Sequence, residues 1–288
     1  MENKNILIDI DGIIKSKNPK LYRRLPHFVV RWLENIIRQD KINRLLTLYG
    51  HKDGVDFIDA VFEDFNVDIV PHGLENIPKD LGKMVFVANH PLGGLDGLAV
   101  IATVNKNFGK AKGIVNDLLL NIVSLRSVFC GVNVYGHNTP EVSTRIHELY
   151  ESSEHVCIFP AGLVSRRIEG KVQDLPWKKN FIEKAVKMGL PIVPIFVDAL
   201  NSSFFYTVAN VRKRIGIKFN YELVLLPSEV FKYHDKPIDL YFGKPVMPEE
   251  LLKLSTPVER AAYMRDVTYL LSKKDKINKD NNNYNCKI

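Results

Sequence analysis

Short β-branched runs and helical patterns alternate along most of this chain. From residue 67 onward, apolar runs of strand length are followed by stretches with helical periodicity. Strands that alternate with helices need crossover connections, and crossover connections build a largely parallel sheet. The sequence therefore predicts an α/β fold in which a mostly parallel sheet is flanked by helices. The predicted strands are Lys83–Ala88, Gly113–Asn116, Val132–Tyr135, Val156–Phe159, Ile192–Val197, Lys218–Leu225 and Ile238–Phe242.

Helical patterns also lie before and after the strands. Apolar side chains recur with three-and-four spacing in His27–Ile37 and Gly54–Phe65, which indicates two amphipathic helices. A helix is predicted over Asp117–Ser124, after the second strand, and a last helix over Pro248–Ser272. The predicted regions are an N-terminal helical extension (residues 1–66), an α/β domain (residues 67–272) and a tail (residues 273–288). The tail is nearly all Lys, Asn and Asp without apolar periodicity, so we expect it to be disordered.

The positive charge of the chain is concentrated near its N-terminus. The 40 Lys and Arg residues exceed the 33 Asp and Glu residues by seven, and Lys15–Arg44 alone holds nine basic and two acidic residues. A local excess of this kind indicates a local anionic partner. The helix His27–Ile37 either packs on the protein core or lies in the interface of an anionic membrane, with Trp32 at headgroup level. We expect no nucleic-acid partner.

Three features of the sequence indicate a cytoplasmic protein. No run of about 18 apolar residues occurs, so we expect no membrane-spanning helix. The first residues lack the basic-then-apolar pattern of a secretory signal. Cys130, Cys157 and Cys286 are scattered and odd in number, which argues against a disulfide framework and a structural zinc site. Together with the basic helix, these features predict a peripheral protein on the inner face of the cell membrane.

The most informative stretch for chemistry is Asn89-His90-Pro91-Leu92-Gly93-Gly94-Leu95-Asp96-Gly97. A strand is predicted to end at His90, and ligands of open parallel sheets bind beyond the carboxyl ends of the strands. An imidazole titrates near neutral pH, so His90 can take a proton from an alcohol. Asp96, at the start of the following helix, can hold the other ring nitrogen and stabilise the imidazolium.

The same residues resemble the first motif of the lysophospholipid acyltransferase family, His-x-x-x-x-Asp at a strand-to-helix turn. They look most similar to the hemolysin-like branch, which includes O-acyltransferases of amino-acid lipids and has one extra residue between His and Asp, as here. The resemblance extends from about Asn43 to Pro248 and implies the glycerolipid acyltransferase fold. It also implies that His90 is the general base on the acceptor hydroxyl and that Asp96 orients it.

A second block, Phe159–Arg167, resembles the family's Phe-Pro-Glu-Gly-Thr-Arg-Ser motif, which helps to bind the acceptor headgroup. Ala161 stands where Glu is usual and Val164 where Arg is usual, which favours a lyso-amino-acid lipid over lysophosphatidic acid as the acceptor. Arg166 and Arg167 follow, and guanidinium groups bind carboxylate or phosphate in a bidentate way. The predicted substrate-contacting residues are Asn89, Gly93, Gly94, Gly162, Ser165, Arg166, Arg167 and Lys178.

The resemblance implies direct transfer of a fatty acyl group from an acyl carrier protein or coenzyme A thioester to the hydroxyl of a lyso-lipid. This chemistry requires no metal and no cofactor beyond the thioester co-substrate. Backbone N–H groups near Gly93 and Gly94, or near Gly162, are the candidates for stabilising the oxyanion. Two alternatives stay open: a lysophosphatidic acid acyltransferase, and a non-catalytic, hemolysin-like membrane-binding protein that keeps the fold.

Overall fold

The computed structural model describes residues 7–132, 139–217 and 220–284 of the chain. These ranges contain twelve α-helices and nine β-strands. The helices are α1 (Ile10–Lys17), α2 (Pro19–Tyr22), α3 (His27–Ile37), α4 (Gln39–Tyr49), α5 (Gly54–Asp64), α6 (Leu95–Phe108), α7 (Pro140–Glu151), α8 (Asn180–Lys187), α9 (Ser203–Arg214), α10 (Leu226–Val230), α11 (Pro248–Leu251) and α12 (Pro257–Tyr284). The strands are β1 (Ile69–His72), β2 (Val85–Ala88), β3 (Ala111–Asn116), β4 (Phe129–Val132), β5 (His155–Ile158), β6 (Arg166–Ile168), β7 (Lys171–Gln173), β8 (Ile192–Asp198) and β9 (Ile238–Phe242).

Seven strands form one sheet in the order β1-β9-β8-β2-β5-β3-β4, and β6 and β7 form a separate antiparallel hairpin. The strands β8, β2, β5, β3 and β4 run parallel to one another. β9 pairs antiparallel with β8, and β1 pairs parallel with β9. The structure therefore confirms a mostly parallel α/β sheet. It also places the carboxyl ends of β8, β2 and β5 side by side, and this edge carries the candidate site.

The central strand β2 shows how the sheet is buried on both faces. Phe86 and Ala88 point into one apolar cluster with α5 and α6, whereas Val85 and Val87 point into another with α8 and α12. Side chains of a strand alternate between the two faces, so helices cover both sides of the sheet. Phe57 of α5 lies in the first cluster, and the end of the N-terminal extension therefore shares the core of the α/β domain.

The basic helix α3 attaches to the fold by one side. Val30 is buried, and the Ser228 hydroxyl of α10 donates a hydrogen bond of 2.7 Å to the Ile36 carbonyl. The other side leaves Phe28 and Trp32 73% and 56% exposed. α3 thus packs on α10 and still presents an aromatic face outward. In the part of the chain that the structure describes, no helix has both the length and the apolarity to cross a bilayer.

Two strand predictions differ from the structure. Tyr221–Leu225 forms a 3-10 helix instead of the end of a strand, and residues 218–219 lie outside the described ranges. This turn seats Glu222, which is fully buried, between Arg166 and Arg212, and these ion pairs override the strand propensity of the apolar residues around it. The strand predicted from Val132 instead ends there as β4, and residues 133–138 are not described.

Two of the predicted helices are also different. The segment after β3 forms two short 3-10 helices, Asp117–Asn121 and Val123–Val128, instead of an α-helix. The predicted C-terminal helix is instead two helices, α11 and α12. Thr256 caps the start of α12, because it exchanges hydrogen bonds with Glu259. Residues 273–284 continue α12 where a disordered tail was expected, and residues 285–288 are not described. Adding residues to an existing helix costs less free energy than nucleating a new helix, so these residues can extend α12.

Candidate active site

His90 follows β2 by two residues, at the carboxyl edge of three parallel strands. Its Nδ1 atom lies 3.0 Å from the Asp96 Oδ2 atom, and the Asp96 side chain is fully buried at the start of α6. The extra residue between the two is accommodated by the glycine turn, in which Gly93 adopts a φ of 83°. The expected His–Asp contact is therefore present, and the structure brings the two predicted catalytic residues together.

The Asp96 carboxylate is held by several donors. Its Oδ2 atom also accepts the backbone N–H groups of Leu92 and Gly93, at 2.9 and 3.2 Å, and Oδ1 accepts that of Gly97 at 2.8 Å. Burial opposes the charged form, but the His90 charge and these hydrogen bonds outweigh it and hold the pKa of Asp96 below its ordinary value. Asp96 is thus a fixed carboxylate.

The pKa of the His90 imidazole depends on the same contact with Asp96. Burial alone would lower its pKa, but the charge and hydrogen bond of Asp96 prevail and raise the pKa above its ordinary value. The ring packs against Phe159, with centroids 4.4 Å apart. Among the described residues, no group forms a hydrogen bond with the Nε2 atom. Since Nδ1 faces Asp96, Nε2 is the nitrogen that can meet a substrate hydroxyl.

Asn89, predicted to contact substrate, is instead buried between two strands. Its Nδ2 atom donates to the Val197 carbonyl at 3.0 Å, and its Oδ1 atom accepts the Val197 N–H at 2.7 Å. The side chain thereby extends the pairing of β2 with β8 by one residue. Asn89 is 3% exposed and positions the backbone of His90 through these two bonds.

Ser165, also predicted to contact substrate, joins the two motif loops from within. Its backbone N–H donates to the His90 carbonyl at 2.8 Å, and its hydroxyl donates to the Asp174 Oδ1 atom at 2.6 Å. The same Oδ1 atom accepts the His90 N–H at 3.2 Å, while Oδ2 accepts the Trp177 indole N–H at 2.9 Å. Ser165 is buried, so it positions the His90 loop.

Asp174 is a site residue that the sequence reasoning missed. Burial raises the pKa of Asp174, and the hydrogen bonds from Ser165, Trp177 and the His90 N–H oppose that rise. Its backbone is fixed as well, because its N–H donates to the Tyr269 hydroxyl at 2.7 Å and its carbonyl accepts Arg265 at 2.9 Å. The one available signal was a single acidic residue between Lys171 and Lys178, close to Trp177.

The two predicted headgroup arginines occupy different environments. Arg166 is buried, with its Nη2 atom 2.8 Å from the Glu222 Oε1 atom and Nη1 donating to the Val164 carbonyl at 2.6 Å. Arg167 lies with its guanidinium 5.2 Å from the centre of the Tyr206 ring and, among the described residues, pairs with no carboxylate. Arg166 therefore serves the fold, and Arg167 is the guanidinium with capacity for a ligand.

The glycine N–H groups predicted for an oxyanion are largely engaged. Gly162 donates to the Phe159 carbonyl at 3.0 Å, and Gly93 donates to Asp96. Within the described residues the Gly94 N–H, at the start of α6, has no partner, as is usual for the first N–H groups of a helix. Lys178 lies over the Gly162 turn, where a Cβ atom on that glycine would come within 2.9 Å of its Nζ atom. Gly94 and Lys178 are thus the members of this set whose N–H and ammonium groups are not engaged by any described residue.

Comparisons with known proteins give a matching family, relatives and a structural likeness. The model of the family described as acyltransferase matches residues 12–278. A lyso-glycine lipid O-acyltransferase of Bacteroides thetaiotaomicron is 40% identical over 266 residues, which cover 92% of this chain and 97% of that protein. A lyso-glycine lipid O-acyltransferase of Phocaeicola vulgatus is 39% identical over 266 residues, 92% of this chain and 95% of that protein. The crystal structure of the 1-acyl-sn-glycerophosphate (LPA) acyltransferase PlsC from Thermotoga maritima aligns with a TM-score of 0.46 and 20% identity, over 92% of this chain and 91% of that one.

Proposed function

This chain belongs to the acyltransferase family, and we propose that it moves a fatty acyl group from a thioester to the hydroxyl of a lyso-glycine lipid. The two relatives at 40% and 39% identity, both named for that acceptor, support the choice of substrate. The observation that carries the proposal is the buried Asp96 bonded to His90 at the carboxyl edge of β2. The donor we propose is an acyl carrier protein or coenzyme A thioester.

The geometry suits a direct transfer with a general base. The Nε2 atom of His90 takes the proton of the acceptor hydroxyl while its oxygen attacks the thioester carbonyl carbon, and Asp96 stabilises the imidazolium that forms. The Gly94 N–H, at the positive end of α6, is the remaining candidate to receive the oxyanion. The tetrahedral intermediate then collapses to the ester, and the departing thiolate takes the proton from His90.

Arg167 and Lys178 follow the residues that anchor the His90 loop, Ser165 and Trp177, and are the cations available to the acceptor headgroup. A glycine headgroup ends in a carboxylate, which a guanidinium can bind with two parallel hydrogen bonds. Arg167 has no competing carboxylate among the described residues, and Lys178 is exposed above Gly162. Val164 packs so closely against Gly93 that a Cβ atom added to this glycine would lie 2.6 Å from the Val164 side chain. An apolar contact therefore occupies the position at which the family usually has a phosphate-binding arginine.

We propose that the enzyme works on the cytoplasmic face of an anionic membrane. The basic stretch Lys15–Arg44 and the outward Phe28 and Trp32 of α3 support this location. Within the described residues Cys130 and Cys157 are both unpaired thiols, as is usual for a protein in a reducing compartment.

The test is an assay of the purified chain with acyl carrier protein and coenzyme A thioesters. The acceptors are lyso-glycine lipid and lysophosphatidic acid, each dispersed in detergent. We expect ester formation on the lyso-glycine lipid and loss of that activity in His90→Ala. A preference for lysophosphatidic acid would replace the proposed acceptor. Absence of transfer to either acceptor, from a folded protein with every donor, would favour the non-catalytic alternative.

A further inference from the structure

Helix α9 is apolar on both of its sides. Phe205, Tyr206 and Ala209 are buried against the fold. On the opposite side Phe204 and Val211 are 59% and 51% exposed, and Ile215, just after the helix, is 64% exposed. With the half-buried Val208, these residues follow one another at intervals of four, three and four residues, which places them on one face of the helix. A surface helix normally turns polar residues outward, so this exposed apolar stripe indicates a partner.

The stripe lies on a helix that is connected to α3 through one short 3-10 helix. Helix α9 packs against the 3-10 helix Tyr221–Leu225, which packs in turn against α3. Each of these three neighbours exposes large apolar side chains: Phe28 and Trp32 on α3, Tyr221 on the 3-10 helix, and the stripe on α9. Trp and Tyr are enriched where a protein meets the boundary between lipid and water.

The charges around the stripe identify the partner as an anionic bilayer. The stretch from Ala199 to Tyr221 contains Arg212, Lys213, Arg214 and Lys218 and no acidic residue. Arg212 is engaged by Glu222, but Lys213 and Arg214 are exposed. Glu229, which bonds to Ser202 at the start of α9, is buried and paired with Lys232, whose ammonium lies over the Phe204 ring. Apolar residues beside exposed cations match acyl chains beside anionic headgroups.

The buried side of the same helix reaches the candidate active site. The Tyr206 ring supports Arg167, and the Tyr206 hydroxyl accepts the Asn201 N–H at 3.2 Å. The Asn201 amide donates in turn to the Pro91 carbonyl at 3.0 Å, next to His90. One side of α9 is therefore linked through Asn201 to the loop of the general base, while the other side faces outward.

We propose that α9 is a second membrane-binding element, which together with α3 sets the side of the protein that carries the His90 loop against an anionic bilayer. The lipid acceptor then reaches His90 without leaving the membrane. This use of the surface rests on the proposed function, whereas the membrane contact itself does not. α3 holds the basic N-terminal region to the bilayer, and α9 fixes which side of the protein faces it.

The test removes the stripe and measures binding of the full chain to vesicles of phosphatidylcholine and phosphatidylglycerol. Phe204→Ser, Val211→Ser and Ile215→Ser are combined in one variant. The matched control combines Leu252→Ser, Val258→Ser and Leu270→Ser, three exposed apolar residues at or near the C-terminal helices. We expect the first variant to lower the partition constant at least tenfold and the control to leave it unchanged. The first variant should retain transfer to a detergent-dispersed acceptor.

A second measurement does not depend on the stability of that variant. Trp32→Phe with Val211→Trp leaves Trp177, which is buried, as the other indole. Lipids brominated on their acyl chains should quench the new indole at residue 211. Unchanged vesicle binding in the stripe variant, equal losses in the control, or no quenching would each overturn the proposal. So would a wild-type dimer that the stripe variant converts to monomer without loss of vesicle binding. Failure of the proposed function shows differently, as absence of transfer in detergent by a protein that still binds vesicles.

Discussion

The Oδ1 atom of Asp174 accepts a hydrogen bond of 2.6 Å from the Ser165 hydroxyl, and the same oxygen accepts the His90 N–H. Two loops that lie far apart in the sequence are thereby joined through one carboxylate. The charge of Asp174 also contributes to the raised pKa of His90, after the larger effects of burial and Asp96. Asp174 thus affects both the position of the general base and its protonation.

Asp174→Asn should separate these two effects. We expect kcat to fall about tenfold, because a hydrogen bond to a charged group is lost. Removal of the negative charge should lower the pKa of His90, and the base must be neutral to act. The acid limb of kcat/KM should therefore move to lower pH. In Ser165→Ala the charge remains, so the limb should stay in place. If the acid limb stayed in place in Asp174→Asn as well, the role of Asp174 would be structural only.

His90→Ala should remove most of the transferase activity without unfolding the protein. A general base contributes about 10²–10⁴-fold to the rate, and we expect a loss of that size in kcat/KM. His147→Ala is the matched control, because His147 lies exposed on α7 and, among the described residues, forms an ion pair only with the nearby Glu151. Thermal melts of both variants establish that they are folded. Normal turnover by folded His90→Ala would exclude this residue as the base.

The His90–Asp96 pair should make stability depend on pH in a defined window. The folded pKa of Asp96 is lowered from 3.8, so its contribution is present above that value and is lost as pH falls through the folded pKa. The folded pKa of His90 is raised from 6.5, so its contribution is present below that value and is lost as pH rises through the folded pKa. The melting temperature of wild type minus that of His90→Gln should be largest between pH 3.8 and 6.5. A difference that is constant across pH would contradict the ion pair.

Arg166 and Arg167 should respond differently to substitution. Arg166→Met leaves the buried Glu222 with Arg212 as its remaining cation, and we expect the free energy of unfolding to fall by about 3 kcal/mol. Arg167→Met should leave stability nearly unchanged and raise the acceptor KM more than it lowers kcat, as expected for lost headgroup binding. Urea unfolding and steady-state kinetics with lyso-glycine lipid measure the two effects. An unchanged acceptor KM in Arg167→Met would assign the carboxylate to another group.

Trp32→Ala should weaken membrane binding and leave the fold intact. The side chain is more than half exposed, so its removal creates no core cavity, and the melting temperature should change little. Reversal of Arg23, Arg24 and Arg31 to Glu should release the protein from anionic vesicles, since each basic side chain near such a surface contributes about 1 kcal/mol. Co-sedimentation at low and high salt measures both variants. A large drop in melting temperature for Trp32→Ala would place that indole in the core instead.

Local patterns were sufficient to predict the strand β2, the helix α6 and the His90–Asp96 pair, because the turn that joins them is short. They were insufficient for Asp174, whose partner His90 lies 84 residues earlier in the sequence. They also could not predict which of Arg166 and Arg167 is buried. Neighbouring side chains of a strand point to opposite faces, and the face of β6 that is buried is determined by α9 and Glu222. The burial of Glu222 could not be predicted for the same reason, because the two arginines that pair with it lie on separate elements, β6 and α9.

The backbone at His90 leaves little freedom for the catalytic loop. The preceding Asn89 is locked to Val197, the His90 N–H is bonded to Asp174, and its carbonyl accepts Ser165. These amides should therefore exchange hydrogen with solvent as slowly as those of the sheet itself. A base anchored in this way is held by elements other than α3 and α9, the two helices that we propose to meet lipid. Evolution can then alter membrane preference on those helices while the chemistry is inherited unchanged.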